Sequence, residues 1–358
     1  MSMIIDGMDQ SKTNIPHYTT QTKGQKAHFY TTHITGVYSH GHQMSYQYVD
    51  CLEWSHDSDL TQNVLLRTLV SLSKDGSLPS VLYLQMDHFW RENKNIYVLC
   101  LCALLVEKAI FRKIRLSFLM VDHTHKDIDE LFSHIASKLQ KNNVVTLANL
   151  TSHIQGAYDL PHRVEVFKYM YVVKDWLSPI QLHSRPHAFK FELCTNGKAG
   201  MWYCHWSSQG DWKGDDEGNP FYLLKGLPSG KPLLSRGLSL QQSSKEVISS
   251  GVRSCSERFT LQEREWWNGF VEEEERKRRM WESFTDQELI HGGQLNWYLD
   301  RLKKFQPPQK NTKEETKDVR AKKQTVEKVI CEVNNIETGC SQEKEAIRSW
   351  NLTITICD

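Results

Sequence analysis

The sequence predicts an α/β fold: five strands and three helices alternate along the first part, and a small β unit and a helical C-terminal segment follow. Three observations carry this reading. Short runs of alternating or continuous apolar residues end in turn-forming residues, as strands do. Longer runs place apolar residues on one side of a 3.6-residue repeat, as helices do. The two kinds of run come in the order strand, strand, strand, helix, strand, helix, strand, helix.

"MSMIID" opens as a strand ending in Asp6, and "GMDQSKTNIPHY" leaves it through polar and turn-forming residues. "HFYTTHITGVYSHG" and "MSYQYVDCLEW" alternate as two further strands, with Gly41 near the bend, and complete an antiparallel meander. Leu60, Val64, Leu65, Leu69 and Leu72 then fall at helical spacing, with Ser58 as cap and Gly76 as stop. After Pro79, "SVLYLQMDH" is a buried strand that delivers Asp87 at its end. "IYVLCLCALLV" is apolar all round, so it reads as a helix buried on every side, capped by Asn93 or Asn95. It is too short for the roughly 18 or more residues that a membrane span needs. "KIRLSFLMV" is the fifth strand, and Ile128, Leu131, Phe132, Ile135 and Leu139 mark one face of a helix beginning near Asp127.

The totals exclude several classes. Lys and Arg number 44 against 43 Asp and Glu in 358 residues, so no overall charge announces a polyanion or membrane partner. Nine scattered cysteines without a C-x-x-C pair argue against both a disulfide framework and a zinc ribbon. With no signal-peptide pattern at the start, the expectation is an intracellular protein, nuclear in preference to cytoplasmic.

Three blocks carry a resemblance. "IIDGMDQSKTNIPH", "LYLQMDHFWRENKN" and "LSFLMVDHTHKDIDELFSHI" look like the signature blocks of an uncharacterised, transposon-derived eukaryotic family of unknown function, over roughly residues 1–235. The element order likewise resembles the ribonuclease-H-like fold of transposases and integrases, a mixed five-stranded sheet flanked by helices. That resemblance implies three carboxylates holding two magnesium or manganese ions: one on strand one, one at the end of strand four, one on the helix after strand five. Asp6, Asp87 and Asp127 match those places, with Asp9 and Asp129 as alternates. The chain departs from the blocks at His88, where Asn is expected, and at Asp122, where Gly is expected.

The chemistry implied is phosphodiester cleavage or strand transfer, in an active or a degenerate form. Two divalent ions about 4 Å apart neutralise charge on the phosphoryl oxygens, activate the nucleophile and stabilise the leaving oxygen. Magnesium prefers carboxylate oxygen and retains several waters, so a few aspartates from separate elements suffice. Each aspartate alone reads equally well as a turn or cap residue, and their joint placement carries the argument. Periodicity leaves Asp127 and Asp129 open, because each lies about 100° from the centre of the apolar face, on opposite flanks.

His123 and His125 lie beside this set, as do Asn93 and Lys94, and all four are candidates for contacts to metal ligands or substrate phosphate. "HTHKDID" also resembles the H-x-H-x-D-H signature of zinc hydrolases, but Ile128 stands where the last histidine belongs. An inactive, domesticated binding module is the other alternative. The patch Lys108–Arg115 is basic, although such patches are usually only solvated surface.

The boundaries that follow are 1–160 for the ribonuclease-H-like domain, 161–187 for a connector, 188–235 for a small β unit, 240–305 for a helical segment and 306–358 for a disordered tail. The β unit contains a hairpin around Asn196-Gly197, and "TLQE" at Thr260–Glu263 is a capping box that opens a long helix. With Asp6 so near the start and no zinc-finger or helix-turn-helix pattern afterwards, the chain reads as the catalytic half of something longer, or a derivative of it. DNA binding is expected to be weak, non-specific and driven by phosphate contacts.

Overall fold

Strand β1 (Ser2–Gly7) is apolar on both faces because it lies in the middle of a sheet that is covered on both sides there. Met3 and Ile5 enter one core and Ile4 the other. In this computed structural model the described residues are 1–305, apart from 21–29, 52, 75, 88–92, 119–125, 160, 178–185, 205–210, 238–248, 251, 254–255 and 284–296. Residues 1–305 belong to one compact unit.

β2 (His33–Ser39) pairs antiparallel with β1, and β3 (Met44–Asp50) antiparallel with β2, which is the expected meander. Its bend is a short 3-10 turn at His40–His42 that leaves through Gln43 in a left-handed conformation, φ 46°. On the other side of β1, β4 (Val81–Met86) runs parallel to it, and β5 (Lys113–Phe118) runs parallel to β4. Three more strands extend the sheet. β6 (His162–Val166) lies parallel to β3, β7 (Ala188–Leu193) antiparallel to β5, and β8 (Ala199–Cys204) antiparallel to β7. The order is β6-β3-β2-β1-β4-β5-β7-β8, with four antiparallel and three parallel pairings.

Among the described residues the sheet therefore has eight strands, where the sequence suggests five. The hairpin around Asn196-Gly197 forms as expected, with Gly197 at φ 78°. It is not a sheet of its own, because β5 would otherwise present a row of unpaired backbone groups and β7 satisfies them. Phe189 and Phe191 of β7 enter the main core, which a free-standing hairpin could not offer them. The stretch read as a connector supplies β6 and the short helix α5 (Val173–Leu177).

One face of the sheet carries α1 (Ser58–Lys74) and α2 (Ile96–Glu107). Every residue of α2 from Val98 to Val106 is buried, and the Asn95 side chain caps it by accepting from the Tyr97 and Val98 amides, both at 3.1 Å. The other face carries α3 (Lys126–Gln140) and α4 (Leu147–Gln155). Ile128, Phe132, Ile135 and Leu139 of α3 pack with Ile4, Ile34 and Val49 of the strands. α6 (Leu261–Ser283) adds Trp267, whose indole donates to the Val145 carbonyl at 3.1 Å. Its capping box is in place, with Glu263 N donating to Thr260 Oγ1 at 3.3 Å and Thr260 N to Glu263 Oε2 at 2.8 Å. A last short helix, α7 (Tyr298–Arg301), packs against α1. No helix among the described residues is long and apolar enough to cross a membrane.

Candidate functional site

Ile5 of β1 and Met86 of β4 face each other in the parallel register, and Asp6 and Asp87, the residue just past β4, come next in the chain after each. Strand spacing sets their backbones roughly 5 Å apart at the carboxyl ends of the central parallel pair. Asp6 Oδ1 accepts the Gly7 amide at 2.8 Å. Asp87 accepts a hydrogen bond from the Asn93 side-chain amide, and the Asn93 oxygen accepts from Thr61 Oγ1 at 2.9 Å. The first turn of α1 thus orients Asn93, and Asn93 orients Asp87. Asp6, Thr35, Thr61 and Asn93 line one small cleft over the end of β1. Lys94, next in the chain to Asn93, is buried, and that burial lowers its ammonium pKa.

The remaining sequence candidates divide. Asp9 is a local cap: its carboxylate accepts from Ser11 N at 2.9 Å and Ser11 Oγ at 2.8 Å, bonds that hold its pKa below the usual carboxylate value. Asp127 lies at the start of α3, exposed, with Oδ2 2.6 Å from His40 Nε2. His40 follows Ser39, the partner of Met3, so this pair sits at the level of the first residues of β1 and not at Asp6. Asp129 is half-buried on the other flank of α3. His123 and His125 lie outside the described residues. Among the described residues, no group of three or more His, Cys, Asp or Glu side chains is placed to hold a metal ion. Asp6 and Asp87 follow the paired residues Ile5 and Met86, and Asp127 sits at the level of the first residues of β1.

The two neighbouring aspartates suit one hard divalent cation that keeps most of its waters.

A second polar cluster borders the same end of β1 on the α1 face. His33 and Asp50 are partners in the β2–β3 register, and His56 Nε2 lies 2.9 Å from Asp50 Oδ2. The His33 and His56 rings are 4.3 Å apart between centroids, and Gln10 Nε2 lies 3.5 Å from His56 Nδ1. Burial, then the neighbouring His56, pushes His33 down to about 3, so it is neutral at ordinary pH. No spacing rule brings these residues together; only the pairing of the hairpin does.

Residues 22–209 match the family model described as a domain of unknown function, DUF7869. The match spans more than half of the chain. The chain belongs to the DUF7869 family. No curated protein matches, and no solved structure matches. The DUF7869 region runs from before β2 to just past β8, so it contains Asp87, Asn93 and α3, while β1 with Asp6 precedes it.

Proposed function

We propose that the DUF7869 region together with β1 is a transposon-derived, ribonuclease-H-like domain that acts on the phosphodiester backbone of DNA with a divalent cation, magnesium or manganese, at Asp6 and Asp87. One observation carries the reading: a central strand flanked by an antiparallel β2 and a parallel β4 sets two aspartates side by side at its carboxyl end. The three sequence blocks add to it, since they fall on β1, on β4 with the start of α2, and on β5 with α3.

Asp6 and Asp87 would hold the cation, which when bound supplies charge neutralisation on phosphoryl oxygens and a more acidic water. Asn93 keeps the Asp87 carboxylate aimed through its amide, and Thr61 keeps Asn93 in that orientation. Lys94, next to Asn93 in the chain, would supply a cation for a phosphate oxygen. The protein would act where DNA is, in the nucleus.

A second reading, a catalytically inactive binding module of the same fold, is favoured by the bond between Asp127 and His40, which holds that carboxylate away from Asp6. Incubating the purified chain with nicked, single-stranded and duplex DNA in magnesium, manganese or chelator separates the two. Metal-dependent cleavage that disappears in Asp6→Asn and Asp87→Asn supports the enzyme. Manganese binding that depends on Asp87, without cleavage of any substrate, supports the inactive module. Absence of both cleavage and manganese binding overturns the proposed site.

A further inference from the structure

We infer that the half of the sheet face left open by α3 and α4 is a stacking platform for single-stranded nucleic acid. The inference rests on the reading above only for the class of polymer, since it involves neither Asp6 nor Asp87.

The registers define the surface. Ser2 and Ile4 of β1 pair with Tyr83 and Gln85 of β4, Tyr83 with Arg115 of β5, Arg115 with Lys190 of β7, and Lys190 with Trp202 of β8. Paired residues point the same way, so Tyr83, Arg115, Lys190 and Trp202 form one transverse row across four strands. Ile4 on that face is covered by the α3 core, whereas Tyr83 is 47% exposed. Between Tyr83 and Trp202, three strand spacings or roughly 14 Å apart, lies a third ring, Trp212. The Arg115 guanidinium is 5.8 Å from its centroid and the Lys190 ammonium 5.7 Å. Arg115 is also 5.7 Å from the Tyr83 ring, and Lys190 4.3 Å from the Trp202 ring. A shallow cavity lies over Tyr83, Gln85, Arg115, Ser117 and Trp212.

The charge selects the occupant. Lys113, Arg115 and Lys190 share this face with one carboxylate on β4, β5, β7 and β8, Glu192, which binds Lys113 at 2.7 Å and Lys190 at 3.4 Å. Among the described residues no carboxylate pairs with Arg115. An excess of cations interleaved with aromatic rings on a flat sheet matches a polymer that has anionic links and flat bases. A duplex keeps its bases stacked and offers the rings nothing, so the platform selects single strands. The alternative, rings and cations that only pack against one another, leaves an exposed cation and an exposed tyrosine beside a cavity without a role.

The test is fluorescence anisotropy with labelled single-stranded DNA, single-stranded RNA and duplex DNA of equal length, in chelator so that no cleavage intervenes, at two salt concentrations. The expected result is binding of a single strand at least tenfold tighter than of the duplex, weakening as salt rises. Arg115→Glu with Lys190→Glu should lower the affinity at least tenfold, and Trp212→Ala by about fivefold or more. Arg115→Gln, a milder change at an exposed position, should weaken binding with an unchanged melting temperature, which excludes unfolding as the cause. Equal affinity for the duplex, or affinity indifferent to the Arg115 and Lys190 changes, overturns the inference without touching the metal site. Loss of metal-dependent cleavage with this binding intact has the opposite meaning. The two single-stranded arms decide whether DNA or RNA is preferred.

Discussion

Asp127 and His40 are bonded at 2.6 Å across the gap between α3 and the β2–β3 turn. The contact fixes the start of α3 over Tyr38 and His40, whose rings are 4.7 Å apart, and not over Asp6. Burial, then the nearby Asp127 and Glu130 charges, raises the Tyr38 pKa, as an acidic helix start above a phenol requires.

Asp127→Asn should therefore leave manganese binding at Asp6 and Asp87 unchanged within about twofold, while Asp87→Asn should abolish it. Calorimetric titration checks both. Because Asp127 is half exposed, the ion pair contributes little to stability, and His40→Ala should cost no more than about 1 kcal/mol.

Acid should destabilise the fold through His33. Its folded pKa of about 3 lies below the ordinary histidine value of 6.5, so the unfolded chain takes up a proton that the folded one refuses. The contribution is present above pH 6.5 and is lost as pH falls towards 3, amounting to a few kcal/mol when complete. Asp59 works the other way. Burial raises it from 3.8 to about 6 against the opposing Lys174 and Val173 amide bonds, so its contribution is lost as pH rises between those values. Denaturant midpoints from pH 7 to 4 should fall slightly in the unaltered chain, where the two contributions nearly cancel, rise in His33→Gln and fall more steeply in Asp59→Asn.

Gly36 pairs with Asp6 and lies under α3, where an added Cβ would be 2.7 Å from Phe132 Cε1 and Cζ. Gly36→Ala should cost about 1–3 kcal/mol through overpacking. Combining it with Phe132→Leu should cost less than the sum of the two changes, and a double-mutant cycle of urea midpoints measures the difference.

Arg67, on α1, is buried beneath an aromatic wall, with its guanidinium 4.5 Å from the Phe167 ring and 4.3 Å from the Tyr169 ring. It donates to the Tyr298 hydroxyl and the Tyr169 carbonyl, each at 2.5 Å, and pairs with Glu165. Arg67→Ala should cost about 3 kcal/mol or more. Arg67→Lys should recover less than half of that, since an ammonium neither stacks nor forks. Thermal melts of the two variants give the comparison.

Much of this architecture is legible in the residues, and the rest is hidden for identifiable reasons. β1, the meander, α1, α2 and α3 follow from apolar period, because each buries a full face. α4 is easily passed over: it is short and buries only Leu150 and Ile154 deeply. β6 has no fully buried residue, since it is an edge strand, so its pattern "HRVEV" gives weak evidence of a strand. The joining of β7 to β5 depends on which edge is vacant, which no local pattern encodes. Within the site, strand ends mark Asp6 and Asp87. For Asp127 and Asp129 the period gives only the angle about the helix axis. How far along the sheet α3 begins is set by packing against Gly36 and by the His40 contact.

The order of strands also has a kinetic side. β1 ends at Gly7, but its parallel neighbour β4 starts only at Val81. At about 5–20 residues per second of synthesis, roughly 4–15 s pass before that edge is covered. The hairpin of β2 and β3 shields the opposite edge early, so the nascent chain leaves the ribosome with one apolar strand edge open beside a partly built sheet. Slower translation ahead of Val81 lengthens the time for which that edge stays uncovered.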